Sequence, residues 1–109
     1  MPDDTRITTR YNENNFLESL FGVLHETGHA LYEQGLPASW RTQPVGGSGG
    51  MALHESQSLF MEMQVCRSPA FIAFAAPHIR NAFGGGNESA EWSADNLLRH
   101  VRKVGRGFI

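Results

Sequence analysis

The stretch Phe16-Leu17-Glu18-Ser19-Leu20-Phe21-Gly22-Val23-Leu24-His25-Glu26-Thr27-Gly28-His29-Ala30-Leu31 sets apolar or small residues at 17, 20, 21, 24, 28 and 31, in steps of three and four. That period is one face of an amphipathic helix. Asn12 to Asn15 offers turn and N-cap chemistry before it, and Gly35 followed by Pro37 ends it after roughly five turns. Glycine in mid-helix costs about 1 kcal/mol relative to alanine, so Gly28 suggests a point where a second backbone comes close.

The polar residues on this helix carry the chemistry. His25 and His29 are four apart, about 40° from each other around the axis and one turn apart along it. Their imidazoles can share one metal ion, with Glu26 beside them to take a proton from water rather than to ligate. A catalytic zinc uses three protein ligands and keeps its fourth position open. The competing reading of the same residues is the wet face of an ordinary helix. A metzincin would need Gly and His at the third and sixth positions after His29, where the chain has Tyr32 and Gly35. The third ligand therefore comes from elsewhere. Glu55, in His54-Glu55-Ser56-Gln57-Ser58, is the best candidate, and Glu33, Glu62 and Glu88 stay open on pattern alone. Glu33 reads as a solvated side chain. Glu62 reads as a partner behind the ligands or as surface. His54 reads either as a support or substrate contact or as a surface histidine. His78 and His100 read as surface residues.

A length of 109 residues permits one domain with a modest core. With 40% hydrophobic residues, net charge −2 and no basic block, neither nucleic acid nor a membrane surface is an expected partner. No apolar run is long enough to span a membrane, and no signal peptide is visible at the N-terminus. Cys66 is the sole cysteine, expected to be a small buried hydrophobe in a cytoplasmic protein.

Outside the first helix, residues 5–11 are β-branched and aromatic and read as a short strand. Residues 36–50 form a glycine-rich loop, a flexible wall of a cleft or a plain linker. A second helix is expected over 51–66, with Leu53, Leu59, Phe60 and Met63 as core candidates. Ser68-Pro69 is an N-cap with proline at N1 and opens a third helix to about Phe83. Ser93 with Asn96 caps a fourth, reaching Val104, and residues 107–109 begin another strand. The fold class is mainly α, with about four helices and short terminal strand segments. A strand opening at the last residue points to a piece of a larger helical, zincin-like metallopeptidase, with 1–109 as a single partial catalytic, metal-binding domain.

At Asp4-Thr5-Arg6-Ile7-Thr8 (DxRxT), His25-Glu26-Thr27-Gly28-His29 (HExGH) and His54-Glu55-Ser56-Gln57 (HES), the sequence resembles the M32 metallocarboxypeptidases, the Taq carboxypeptidase family. The resemblance runs from Pro2 to Ile109 with the motifs in order. It implies a cytoplasmic, mostly helical homodimer that removes C-terminal amino acids from peptides. His25, His29 and Glu55 would bind Zn2+, or alternatively Co2+, and Glu26 would be the general base. The family's later arginine-containing and GxxQDxHW motifs do not occur in the chain, so the isolated chain is expected to be impaired or inactive. Of the cations near the motifs, Arg6 fits a buried ion pair with Asp4, and Arg10 and Arg41 are the others available for a substrate carboxylate. The rival to an enzyme is a non-catalytic helical self-association or interaction module, and a further rival is an endo- or aminopeptidase with the same metal site.

Overall fold

The computed structural model describes residues 4–83 and 92–105. It is helical throughout: α1 (Phe16–Gln34), 3-10 turns at Ala38–Trp40 and Pro44–Gly46, α2 (Met51–Leu59) running into a π-helical segment (Phe60–Val65), α3 (Pro69–Phe83) and α4 (Ala94–Val101). The chain divides into two compact units, Met1–Gln64 and Val65–Ile109.

In the first unit, α1 begins where the Asn15 side chain accepts the backbone N–H of Glu18, and it stops at Gly35, whose N–H returns to Leu31 and Tyr32. The turn before it is held by Asn12, whose N–H donates to the Ser19 hydroxyl at 2.7 Å. α1 packs on α2. At their crossing, a Cβ built on Gly28 would lie 2.6 Å from Ser58 Cα and 2.8 Å from the Gln57 carbonyl oxygen. Both obstacles are backbone, so only a residue without a side chain permits this approach. Phe21, Gly28 and Ser58 are buried along the seam. Gly50 caps α2 with φ +105°, a conformation that L side chains rarely adopt.

The core expected on α2 is not where the apolar residues are. Leu53, Leu59, Phe60 and Met63 are exposed. The face of α2 toward α1 is set by Ser58, with Glu55 and Glu62 three residues before it and four after. At about 100° per residue, Leu53 and Phe60 fall roughly opposite Ser58. The seam is polar because it carries the site.

The second unit follows the caps read from sequence. The Ser68 hydroxyl accepts the N–H of Phe71 at 3.1 Å, and Ser93 accepts that of Asn96 at 3.2 Å. α3 buries Ile72, Ala75, Ala76 and Ile79, and α4 buries Leu97 and Val101, one turn apart. Cys66 is buried as expected, and desolvation pushes its thiol pKa up. α3 runs through Pro77, whose side of the helix is exposed, so the carbonyl it leaves unpaired can meet water. α4 ends at Val101 instead of Val104. Val104 is 93% exposed and gains nothing from continuing, while the Arg102 side chain donates to the Arg67 carbonyl at 3.2 Å.

Residues 5–11 are not a strand. They form no regular element and have no partner strand among the described residues, and a lone strand has no ladder to stabilise it. The strand expected at 107–109 lies outside the described residues. The Arg6–Asp4 ion pair forms at 2.9 Å, but on the surface rather than buried, with the Arg6 side chain 84% exposed.

Replacing Gly28 by alanine tests the close crossing. Alanine adds about 1 kcal/mol of helix propensity, yet its methyl must push two backbones apart, which typically costs more. A net destabilisation of about 1–3 kcal/mol is expected, read by thermal or denaturant unfolding. A gain in stability would show that the seam is looser than described.

Candidate metal centre

α1 presents His25 and His29 on one face, and the close seam at Gly28 brings α2 near enough for Glu55 to reach both. His25 Nε2 lies 2.9 Å and His29 Nε2 3.6 Å from Glu55 Oε1. The three ligand atoms lie within 4.8 Å of one another. Bonds of about 2.0–2.2 Å at tetrahedral angles would set such atoms about 3.3 Å apart, so the two measured edges bracket the spacing for a small divalent ion. Of the glutamates that stayed open as third ligand, Glu55 is the one grouped with both histidines. Glu33 and Glu62 are engaged behind the histidines, and Glu88 lies outside the described residues.

What stands behind the ligands defines their orientation. His25 Nδ1 is 2.9 Å from Glu62 Oε1. A carboxylate only accepts, and Glu55 stands at the same 2.9 Å from Nε2, so the ring is held between two acceptors, Glu62 on one nitrogen and Glu55 on the other. Two imidazole nitrogens beside one carboxylate oxygen are a donor set that fits a small divalent ion. His29 Nδ1 is 2.5 Å from His54 Nδ1, and His54 Nε2 is 2.7 Å from Glu33 Oε1. The Tyr32 ring meets His54 edge-on at 4.8 Å, and its hydroxyl accepts the Gly49 N–H at 3.1 Å, tying the glycine-rich loop to α1. Glu33 is exposed, as read from sequence, and it pairs there with the half-buried His54.

Ser58 was not anticipated from sequence. Its hydroxyl makes a very short hydrogen bond to Glu55 Oε1 and also donates toward the Glu55 carbonyl. This bond holds the Glu55 carboxyl below its ordinary pKa, with His25 and His29 adding to the effect against desolvation. The signal was available: a serine three residues after a carboxylate on one helix faces it. Glu26, one residue after His25 on α1, is half-buried. His78 stacks near Phe74 at 5.1 Å in the second unit, and His100 is exposed.

The family model for Carboxypeptidase Taq (M32) metallopeptidase matches residues 1–109. Thermostable carboxypeptidase 1 of Thermus thermophilus is 47% identical over 83% of this chain and 18% of its own length. Carboxypeptidase 1 of Bacillus subtilis is 43% identical over 97% of this chain and 21% of its own. The solved structure of Trypanosoma cruzi metallocarboxypeptidase 1 matches with a TM-score of 0.81 at 46% identity, over 94% of this chain and 20% of that one. The chain therefore spans about a fifth of the length of these relatives. It belongs to the M32, or Taq carboxypeptidase, family of metallopeptidases.

Proposed function

We propose that this chain is the metal-holding part of a carboxypeptidase that removes C-terminal amino acids from peptides. The observation carrying this reading is the convergence of His25 Nε2, His29 Nε2 and Glu55 Oε1 on one point. Two imidazoles and a carboxylate are the donor set of a catalytic zinc, so Zn2+ is the proposed ion, with Co2+ the alternative. When bound, the ion supplies Lewis acidity toward water and the scissile carbonyl.

The remaining work falls to the chain's own groups. Glu26, next to His25, accepts the proton of the attacking water and passes it to the leaving amine. Ser58 keeps Glu55 ionised and aimed at the histidines. Glu62 and the Glu33–His54 pair keep the imidazole protons on the side away from the site. Residues 1–109 would then be one part of a larger catalytic domain, and peptide C-termini its substrates. The cytoplasm, where a lone buried thiol stays reduced, is the proposed compartment. Among the described residues no helix is long and apolar enough to cross a membrane.

Elemental analysis of the purified protein should find near one divalent ion per chain, lost in His25→Ala and His29→Ala. Glu26→Gln should keep the ion and lose peptidase activity by on the order of 10^2–10^4-fold in the whole enzyme. Cleavage should require a free C-terminus. An amidated peptide cut as fast as a free one would point to another peptidase class.

The exposed Leu53 on α2, with Phe60 and Met63 on the π-helical segment that continues it, offers apolar surface for self-association, and we propose a homo-oligomer. Sedimentation equilibrium should show it, and replacing these three residues by polar ones should yield a monomer; a monomeric parent protein would rule it out.

A further inference from the structure

We infer that Glu33 and His54 form a relay that fixes the tautomer of His29, making both of them positioning residues for the metal site. The inference rests on the reading of His25, His29 and Glu55 as ligands.

The two histidines of the site are supported differently. His25 is backed directly by a carboxylate, with Nδ1 2.9 Å from Glu62 Oε1. Among the described residues no carboxylate stands at the back of His29. Its Nδ1 meets another imidazole nitrogen, His54 Nδ1, at 2.5 Å. Two imidazoles in contact through Nδ1 can share one proton in either direction. If His54 donates, His29 turns N–H toward the site and cannot ligate through Nε2. If His29 donates, its Nε2 lone pair faces the metal position.

Glu33 decides between them. Its Oε1 lies 2.7 Å from His54 Nε2, and a carboxylate has no proton to give. His54 must therefore place its proton on Nε2, which leaves His54 Nδ1 as an acceptor. His29 then donates from Nδ1 and offers Nε2 to the site. The carboxylate sets the outcome from two residues away through the intervening ring. Tyr32, edge-on to His54 at 4.8 Å, limits the rotation that would break the chain. Glu62 faces His25 directly, whereas Glu33 acts on His29 in two steps.

Outer partners of metal-ligating histidines typically change metal affinity by about 10–100-fold. His54→Ala should raise the Zn2+ dissociation constant by about that factor, measured by competition with a chelator of known affinity. His54→Gln, whose side-chain oxygen can accept the His29 Nδ1 proton, should recover most of the loss. Glu33→Leu should give an intermediate loss, because His54 is then present but undirected.

The second readout is independent of metal. In the metal-free protein at about pH 9, well above the ordinary histidine range, 15N chemical shifts should show His29 as the Nδ1–H tautomer. In His54→Ala and Glu33→Leu the same ring should become a mixture. A parent protein with His29 as the Nε2–H tautomer overturns the relay, as does an unchanged tautomer and affinity in both variants. Should His54→Ala lose its helical circular dichroism, Glu33→Leu, altered at a partly exposed side chain, makes the same comparison. A parent protein that takes no Zn2+ refutes the metal-site reading, while the tautomer of His29 still decides the relay.

Discussion

The structure depends on one close contact, the crossing of α1 and α2 at Gly28. With no Cβ there, Ser58 Cα and the Gln57 carbonyl come within a distance that any other residue would forbid. Glu55 sits one turn before Ser58 and is thereby delivered to His25 and His29, which flank Gly28 on α1. A carboxylate reaches only a few ångströms beyond its helix, so widening the seam by the thickness of a methyl group would separate Glu55 from the two histidines. The glycine inside His25-Glu26-Thr27-Gly28-His29 is therefore part of the site's geometry, although it touches no ligand.

The same contact explains why the packed face of α2 is polar. A seam this tight has no room for leucine or phenylalanine between the backbones, and it is filled by Ser58 with Glu55 and Glu62 at its margins. Polar groups at such a seam must be hydrogen-bonded to be tolerated. Here they satisfy one another: Ser58 on Glu55, Glu62 on His25, His54 on His29 and Glu33. A polar network of this kind specifies geometry at the expense of apolar burial. The apolar side chains of α2 consequently point outward at Leu53, Leu59, Phe60 and Met63.

Much of this was legible in the sequence, and the reason differs by element. α1 could be read to within a residue because its period, cap and terminating glycine all agree. The serine caps of α3 and α4 were equally plain, since capping is local chemistry. The strand at 5–11 was misread because β-propensity describes a residue's suitability for a sheet and cannot supply the neighbouring strand. The core of α2 was misread for a related reason. Hydrophobicity marks which residues seek burial, but Ser58, flanked by Glu55 and Glu62, occupies the face that meets α1. His25 and His29 were visible through helical spacing. Glu55 could only be ranked above other glutamates, because no spacing rule connects two helices across a loop. Ser58, Glu33 and His54 gained their roles from that same tertiary contact.

All of the grouped site residues, from His25 to Glu62, belong to the unit Met1–Gln64. The donor set and its supports are therefore encoded within one compact unit, joined by α1, the loop tied through Tyr32 and α2. That unit is rich in acceptors. Glu26, Glu33, Glu55 and Glu62 surround three histidines, and Arg6 is turned to Asp4 on the surface. Such a cluster suits a divalent cation and repels a second anion. That balance follows from the seam itself: the side chains that gather where α1 meets α2 are acceptors and imidazoles, and no arginine or lysine stands among His25, Glu26, His29, Glu33, His54, Glu55, Ser58 and Glu62.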